Sequence, residues 1–336
     1  GPQSRYYNFF DIDWNHSKYK GKVLAPFLGD KLKEVLQQKQ IKLVWDESGL
    51  YFLVYDNRYP VSVLTWEIML ELAKQVEVPA KTKEQVNQFS NDFLKFIQKT
   101  DDFDHAGWEK IKHDFGKALK RSKNLKIAAQ AATEYFNHHP EQLQKLLDKQ
   151  FYQLTHWKKT DEEINYRRFF TINELICLNI QRPEVFEEHH KFVLELVQKG
   201  YIQGLRIDHI DGLHDPKAYL QRLRQAAPNA FISVEKILEL EEHLPKDWPV
   251  QGTTGYGFLA IINHLFTRYG EADCFSSIYR KIVPEMPEYH ELVFEKKEHM
   301  LRHHMQGELN NLLRLMHQLQ LQPPHISDDD LKETLL

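Results

Sequence analysis

Apolar positions change their period three times along this chain. The first 65 residues are aromatic-rich and irregular, with one clear β pattern. Leu43-Val-Trp45, a turn at Glu47-Ser-Gly49 and Tyr51-Phe-Leu-Val-Tyr55 predict a hairpin. From about 66 to 150 glycine nearly vanishes, leaving Gly107 and Gly116, and apolar residues recur at helical spacing. Phe89, Phe93, Phe96 and Ile97 form one stripe, and Leu143, Leu146 and Leu147 another. Three or four helices are expected there, their aromatic stripes serving as core.

Near residue 151 the two-residue period returns, and Tyr166-Arg-Arg-Phe-Phe170 predicts a strand. Glu184 to Lys199 is amphipathic at helical period and stops at Gly200. A strand is expected over Tyr201–Ile207. A helix follows, capped by Asp215, with Pro216 in its first turn, running to about Ala227. Pro228-Asn229 then turns into a strand at Phe231–Val234. Strand and helix in alternation predict a parallel α/β sheet. Beyond Gly257 the pattern is helical, with a long run from about Tyr289 to Leu321. Four segments result: an irregular and hairpin segment (1–65), a helical insertion (66–150), βα units (151–285) and a helical segment (286–336). Only three or four strands are of the type a closed eight-stranded βα barrel needs.

Composition narrows the function classes. The 336 residues are 42% apolar and 27% charged, with no apolar run near the roughly 20 residues of a membrane span. The net charge of −4 is dispersed, which disfavours nucleic acid as a partner. Cys177 and Cys274 cannot build a disulfide framework and lack metal-ligand spacing, so reduced thiols in a cytoplasmic protein are expected. The opening Gly1-Pro2 reads as a protease scar or as a start inside a longer protein.

The chemistry concentrates in two carboxylates. Asp208 closes Gly204-Leu-Arg-Ile-Asp208, and Glu235 closes Phe231-Ile-Ser-Val-Glu235, with one helix-sized segment between. Parallel neighbouring strands bring their carboxyl ends to one side, so the two acids should face each other. A carboxylate pair is what glycosidic-bond chemistry uses, one attacking or stabilising the anomeric carbon and the other protonating the leaving oxygen. A single acid at a strand end is more often a turn or cap residue. Alternation, however, also puts Arg206 on the face of Asp208, where it would orient a nucleophile. Glu235 follows an apolar strand and should project from a dry sheet edge, the setting of a general acid. Lys236 should point to the other face. Asp215 reads as a cap, Asp211 as turn or ligand contact, and His209 as a donor to a sugar hydroxyl or to Asp208. Gly252-Thr-Thr-Gly-Tyr-Gly257 lacks the order and lysine of a phosphate loop and reads as a tight loop on the active-site face. His299, His303 and His304 read as a solvated helix face, so no metal or cofactor is expected.

At these residues the chain resembles a known family. Glu163-Ile-Asn-Tyr-Arg-Arg-Phe-Phe170, Gly204-Leu-Arg-Ile-Asp-His-Ile-Asp-Gly-Leu213, Val234-Glu-Lys-Ile-Leu238 and Asp247-Trp-Pro-Val-Gln-Gly-Thr-Thr-Gly-Tyr256 are similar to segments of the maltooligosyl trehalose synthases, of the α-amylase superfamily. Tyr7-Asn-Phe-Phe-Asp-Ile-Asp-Trp14, Gly21-Lys-Val-Leu24 with Gly29-Asp30, and Gly307-Glu-Leu-Asn310 extend the likeness over nearly the whole chain. The resemblance implies part of a TIM (β/α)8 barrel, incomplete here, with a large helical insertion. It implies Asp208 as nucleophile, Glu235 as general acid/base and Arg206 beside the nucleophile. Substrate contacts are expected at Arg206, His209, Asp211, Tyr166 and Lys236. Two superfamily motifs are not found, an Asn-His on a preceding strand and a later His-Asp carrying a third carboxylate. The expectation is therefore a middle piece of a longer enzyme, with little or no activity alone.

The activity so implied is an isomerisation of maltooligosaccharides, in which the reducing-end α-1,4 bond becomes an α,α-1,1 bond. A maltooligosyltrehalose trehalohydrolase would be its functional companion. An amylase-type α-glucan hydrolase and a non-catalytic glucan-binding piece are the alternatives. Membrane and nucleic acid are not expected as partners.

Overall fold

The structure, a computed structural model, describes residues 1–97, 103–239, 241–285, 287–323 and 325–336. The chain is α/β and divides into two units, Gly1–Cys177 with Lys297–Leu336, and Leu178–Lys296.

In the first unit β1 (Val23–Leu28) leads to a short α1 (Leu32–Gln37). The antiparallel meander β2 (Ile41–Asp46), β3 (Gly49–Val54) and β4 (Asn57–Pro60) comes next. Five helices follow: α2 (Val63–Gln75), α3 (Ala80–Ile97), α4 (His105–Arg121), α5 (Lys123–His138) and α6 (Pro140–Leu147). The chain then returns as β5 (Tyr152–His156), parallel to β1. The caps are local: Asp104 accepts the Gly107 N–H at the start of α4, and Ser122 accepts that of Leu125 at the start of α5.

The helical stretch shares one core with the meander instead of standing apart. Trp45 of β2 stacks on Phe115 of α4 at 4.8 Å and meets Trp66 of α2 edge-on at 5.6 Å. Alanines at positions 128, 129 and 132 keep the inner face of α5 flat against β2. The Asn137 side chain then accepts the Leu43 N–H at 2.8 Å and donates to the Leu43 carbonyl at 2.9 Å. That amide occupies the outer hydrogen-bonding edge of β2, which would otherwise be open to pairing.

Two sequence expectations change here. Tyr166–Phe170 is no strand: it makes only single bridges, Ile12 with Tyr166 and Arg168 with Ile176. Its polar side chains work as internal struts. Buried Asn165 accepts the Leu24 N–H and donates to the carbonyls of Asp13 and Lys22. The Arg168 side chain, 2% exposed, reaches Glu308 at 3.0 Å, Asn173 at 2.6 Å and the His304 carbonyl at 3.2 Å. The predicted helix over Tyr289–Leu321 is two, broken at His304-Met305. Gly307 lies at the near point of the second of these, where a Cβ would sit 3.0 Å from both the Ile164 side chain and the Thr160 carbonyl.

In the second unit α7 (Pro183–Gln198) ends at Lys199, with Gly200 at φ 73°. There follow β6 (Gly204–Ile207), α8 (Pro216–Ala226), β7 (Phe231–Val234), the two-residue β8 (Gly252–Thr253), α9 (Tyr256–Leu265) and α10 (Ala272–Ile282). Asp215 caps α8 by accepting the Ala218 N–H at 2.9 Å. Strands β6, β7 and β8 form one parallel sheet in that order. Helix α11 (Tyr289–His303) crosses the boundary between the units, and α12 (Gln306–Gln318) and α13 (Asp328–Leu335) complete the first. Five parallel strands occur among the described residues, against the three or four expected. Of the five, β6 and β7 match strands named from sequence; β1, whose Pro26 masks the strand pattern, β5, and β8, too short for a period to show, do not.

Candidate active site

The site is set by strand register in the second unit. Leu205 pairs with Ile232 and Ile207 with Val234, so Asp208 and Glu235 are the next residues out on neighbouring parallel strands. The Glu235 N–H donates to the Ile207 carbonyl at 2.7 Å, carrying the pairing one step past the strand ends. Two carboxylates thus lie abreast at the carboxyl edge of the sheet, as the sequence predicted. β8 continues the row: Val234 pairs with Thr253 and the Thr254 N–H donates to the Val234 carbonyl, so Thr254 follows at the level of Glu235.

Each acid has a distinct holder. Arg206 Nη2 lies 2.7 Å from Asp208 Oδ1, the same-face pair that alternation predicts. Glu235 is half-buried, and its Oε2 accepts the His209 N–H at 2.7 Å. That bond depends on an uncommon backbone: His209 is left-handed, φ 52° and ψ 42°. The turn Ile210–Gly212 follows, and Gly212 lets the His209 ring close over it, since a Cβ there would meet Cδ2 at 2.3 Å.

Lys236 lies beyond the end of β7 at Val234. Its ammonium lies 3.0 Å from Glu242 and 3.3 Å from Asp211. The hydrogen bond to Glu242 and the nearby Asp211 raise its pKa against the effect of burial. Asp211 is therefore held by Lys236 across the turn. Tyr166 is in the first unit, buried, with its hydroxyl donating to the Asn173 carbonyl at 3.1 Å, and burial raises its pKa. His299, His303 and His304 are exposed, the first two on α11. Among the described residues no group of three or more His, Cys, Asp or Glu is arranged to hold a metal ion.

Sequence reasoning missed two supporting residues. Arg224 of α8 forks onto the loop before β8, with Nη2 2.9 Å from the Pro249 carbonyl and 3.0 Å from Gln251 Oε1, and Nη1 2.6 Å from the Ala230 carbonyl. Gln251 Oε1 also accepts the Ile232 N–H at 2.6 Å, which ties that loop to β7. Thr254 is the second: its Oγ1 is buried without a hydrogen-bond partner among the described residues, next to Glu235 in the sheet. The Gly252-Thr-Thr-Gly255 loop expected from sequence is thus partly strand, ending at Gly255 with φ 89° as α9 begins.

No family model matches the chain. A curated protein of Mycobacterium tuberculosis (strain CDC 1551 / Oshkosh), named "Putative maltooligosyl trehalose synthase", is 34% identical over 168 residues, 50% of this chain and 22% of that protein. Among solved structures, maltooligosyltrehalose synthase from Arthrobacter ramosus matches with a TM-score of 0.64 and 25% identity over 94% of this chain. The DSM5389 glycosyltrehalose synthase matches with a TM-score of 0.63 and 30% identity, again over 94%. The chain is similar to a part of the maltooligosyl trehalose synthases. It spans 22% of that curated relative and 31% to 33% of those two solved chains. Maltooligosyl trehalose synthases thus resemble this chain across the helical stretch and the carboxylate sheet alike, since the structural match covers 94% of it.

Proposed function

We propose that this chain is the portion of a maltooligosyl trehalose synthase that carries its nucleophile and its general acid/base, within an incomplete (β/α)8 barrel. The observation that carries this reading is the register of β6 and β7, which sets Asp208 and Glu235 abreast in a chain similar to such synthases.

In the proposed reaction Glu235 protonates the oxygen of the α-1,4 bond to the reducing-end glucose while Asp208 attacks the anomeric carbon. Arg206 keeps the Asp208 carboxylate oriented for attack. The released glucose stays bound, turns, and offers its own anomeric hydroxyl to the glycosyl-enzyme. Glu235, now a base, takes that proton as the α,α-1,1 bond forms. Each displacement inverts the anomeric centre, so the α configuration is retained. No water is consumed, and excluding it distinguishes this isomerase from a hydrolase. Arg206, His209, Asp211 and Lys236 are the proposed neighbours of the substrate.

The test uses a polypeptide of the relatives' full length that contains this chain, incubated with maltopentaose. Loss of reducing ends with little free glucose is expected, and Asp208→Asn should lower the rate roughly 10⁴-fold or more. Abundant short reducing sugars would show a hydrolase instead. Unchanged turnover in Asp208→Asn would remove Asp208 from the nucleophile's role.

A further inference from the structure

The first unit contains a cavity that the proposed chemistry does not use. We infer that this cavity and the lysine-lined cleft beside it form one binding site for a single-chain amphiphile, an apolar tail carrying a phosphate head. Every residue of the site belongs to the first unit, whereas Asp208 and Glu235 belong to the second.

The cavity lies between the amino ends of β1 and β5 and the first turns of α4. Its volume is about 810 Å³, within the range of small-molecule sites. Leu50, Val61, Trp66 and Trp108, all buried, line it together with Val23 and Phe151. Methylenes placed among them leave water, which favours an apolar tail in proportion to the area covered. The N-terminal segment that closes one side is pinned to two helices. Gln3 Oε1 accepts the Val63 N–H at 3.2 Å at the start of α2, and the Gln3 carbonyl accepts from His105 Nδ1 at 3.2 Å at the start of α4. The cavity is thus formed before a ligand arrives, which lowers the ordering cost of binding.

The second observation is the charge beside it. Glu109 and Lys112 line both this cavity and a polar cleft of about 430 Å³ that continues along α4 past Gly116 to Lys117 and Lys120. At Gly116 the helix meets the β2–β3 turn: a Cβ there would sit 2.5 Å from the Glu47 carbonyl oxygen, so the cleft is closed by backbone against backbone. The two carboxylates of the cleft are already matched, Glu109 by Lys112 at 2.6 Å and Glu47 by Lys126. Lys117 and Lys120 have no carboxylate partner among the described residues. They stand three positions apart on one face of α4, so a head with several oxygens can meet both ammonium groups. An uncharged apolar molecule would leave these lysines unused, and a bare phosphate would leave the cavity unfilled. The two spaces together fit a tail joined to an anion.

Decyl phosphate, titrated into the 336-residue chain below its micelle concentration and read by calorimetry, tests the assignment. Saturable binding of one molecule per chain is expected. Ala106→Trp, at an exposed position on the cavity wall, should fill the space and weaken binding about tenfold or more. Lys117→Gln combined with Lys120→Gln should weaken it about tenfold and remove most of its salt dependence, with the thermal midpoint nearly unchanged. Decanol and inorganic phosphate, each with half of the chemistry, should both bind more weakly than decyl phosphate. Absence of binding by the wild type, or affinity unchanged in both variants, overturns the site. Decanol bound as tightly as decyl phosphate overturns it too, because the lysines would then take no part. So does binding lost in Phe266→Ser, which would put the amphiphile on the exposed apolar surface of α9 instead.

Discussion

At the scale of single residues, the Arg206–Asp208 pair separates activity from stability. Both side chains are more than half exposed, so the ion pair contributes under about 1 kcal/mol to folding. The same 2.7 Å contact fixes the direction of the carboxylate, which on the proposed mechanism is the attacking group. Arg206→Met in the full-length polypeptide should therefore lower kcat on the order of a hundredfold while the thermal midpoint stays nearly unchanged. A large loss of stability with normal kcat would make Arg206 a structural residue. This pair could be read from sequence because both partners sit two positions apart in one strand. The His209 N–H to Glu235 bond could not, since it joins residues 26 positions apart through a left-handed backbone that a histidine seldom adopts. The role of Asn165 and Arg168 was equally hidden. Their partners, Leu24, Glu308 and His304, lie far off in the sequence and make them struts.

Among the elements, β8 is the one with the least support of its own. It has two residues and among the described residues pairs only with β7, yet it sets Thr254 beside Glu235. Its position depends on the Arg224 guanidinium, whose planar fork reaches the carbonyls of Ala230 and Pro249 and the Gln251 amide at once. A lysine has no such fork. Arg224→Lys should thus free the loop before β8, at a cost of about 1–3 kcal/mol from acceptors left unmet. Amide exchange at Gln251 and Thr254 should quicken, while that of Phe231 and Glu235, bonded within the β6–β7 pair, stays slow. Equal protection in the variant would show that β8 is held by its ladder alone. Sequence pattern found β6, β7 and the helices α7 and α8 because each covers at least two turns or a full alternation bounded by Gly, Pro or Asp. It missed β1, β5 and β8, and it made a strand of Tyr166–Phe170, because a short apolar run does not reveal whether a partner strand exists.

Across the whole molecule, the two units should respond to acid at different pH. In the second unit His190 is buried between α7 and α8, stacked 4.1 Å from Phe186. Its Nδ1–H donates to the Phe186 carbonyl and its Nε2 accepts the Tyr219 hydroxyl, both at 2.8 Å, which is the neutral tautomer. Burial lowers its pKa below 6.5, outweighing the Phe186 bond. The unfolded chain then takes up its proton first, so this stabilisation is full above about pH 6.5 and declines as pH falls through the folded pKa. Glu163 in the first unit behaves differently. Burial would raise its pKa, but hydrogen bonds from Lys18 and Tyr19 and the charge of Lys159 prevail and hold it at about 2. Its contribution is present above about 4.5 and is lost only as pH falls toward 2. Lowering pH from 7.5 to 5.5 should therefore weaken the unit that carries Asp208 and Glu235 through His190, and the first unit less, through half-buried His16, whose pKa burial also lowers. Hydrogen exchange across this range should show protection falling more at Leu220, Leu223 and Ile232 than at Phe52 and Leu125. His190→Gln should move this first decline and not the later loss at lower pH, whereas Glu163→Gln should act only on the later one. Equal declines in both units, or a first decline unaltered in His190→Gln, would assign the acid sensitivity to other groups.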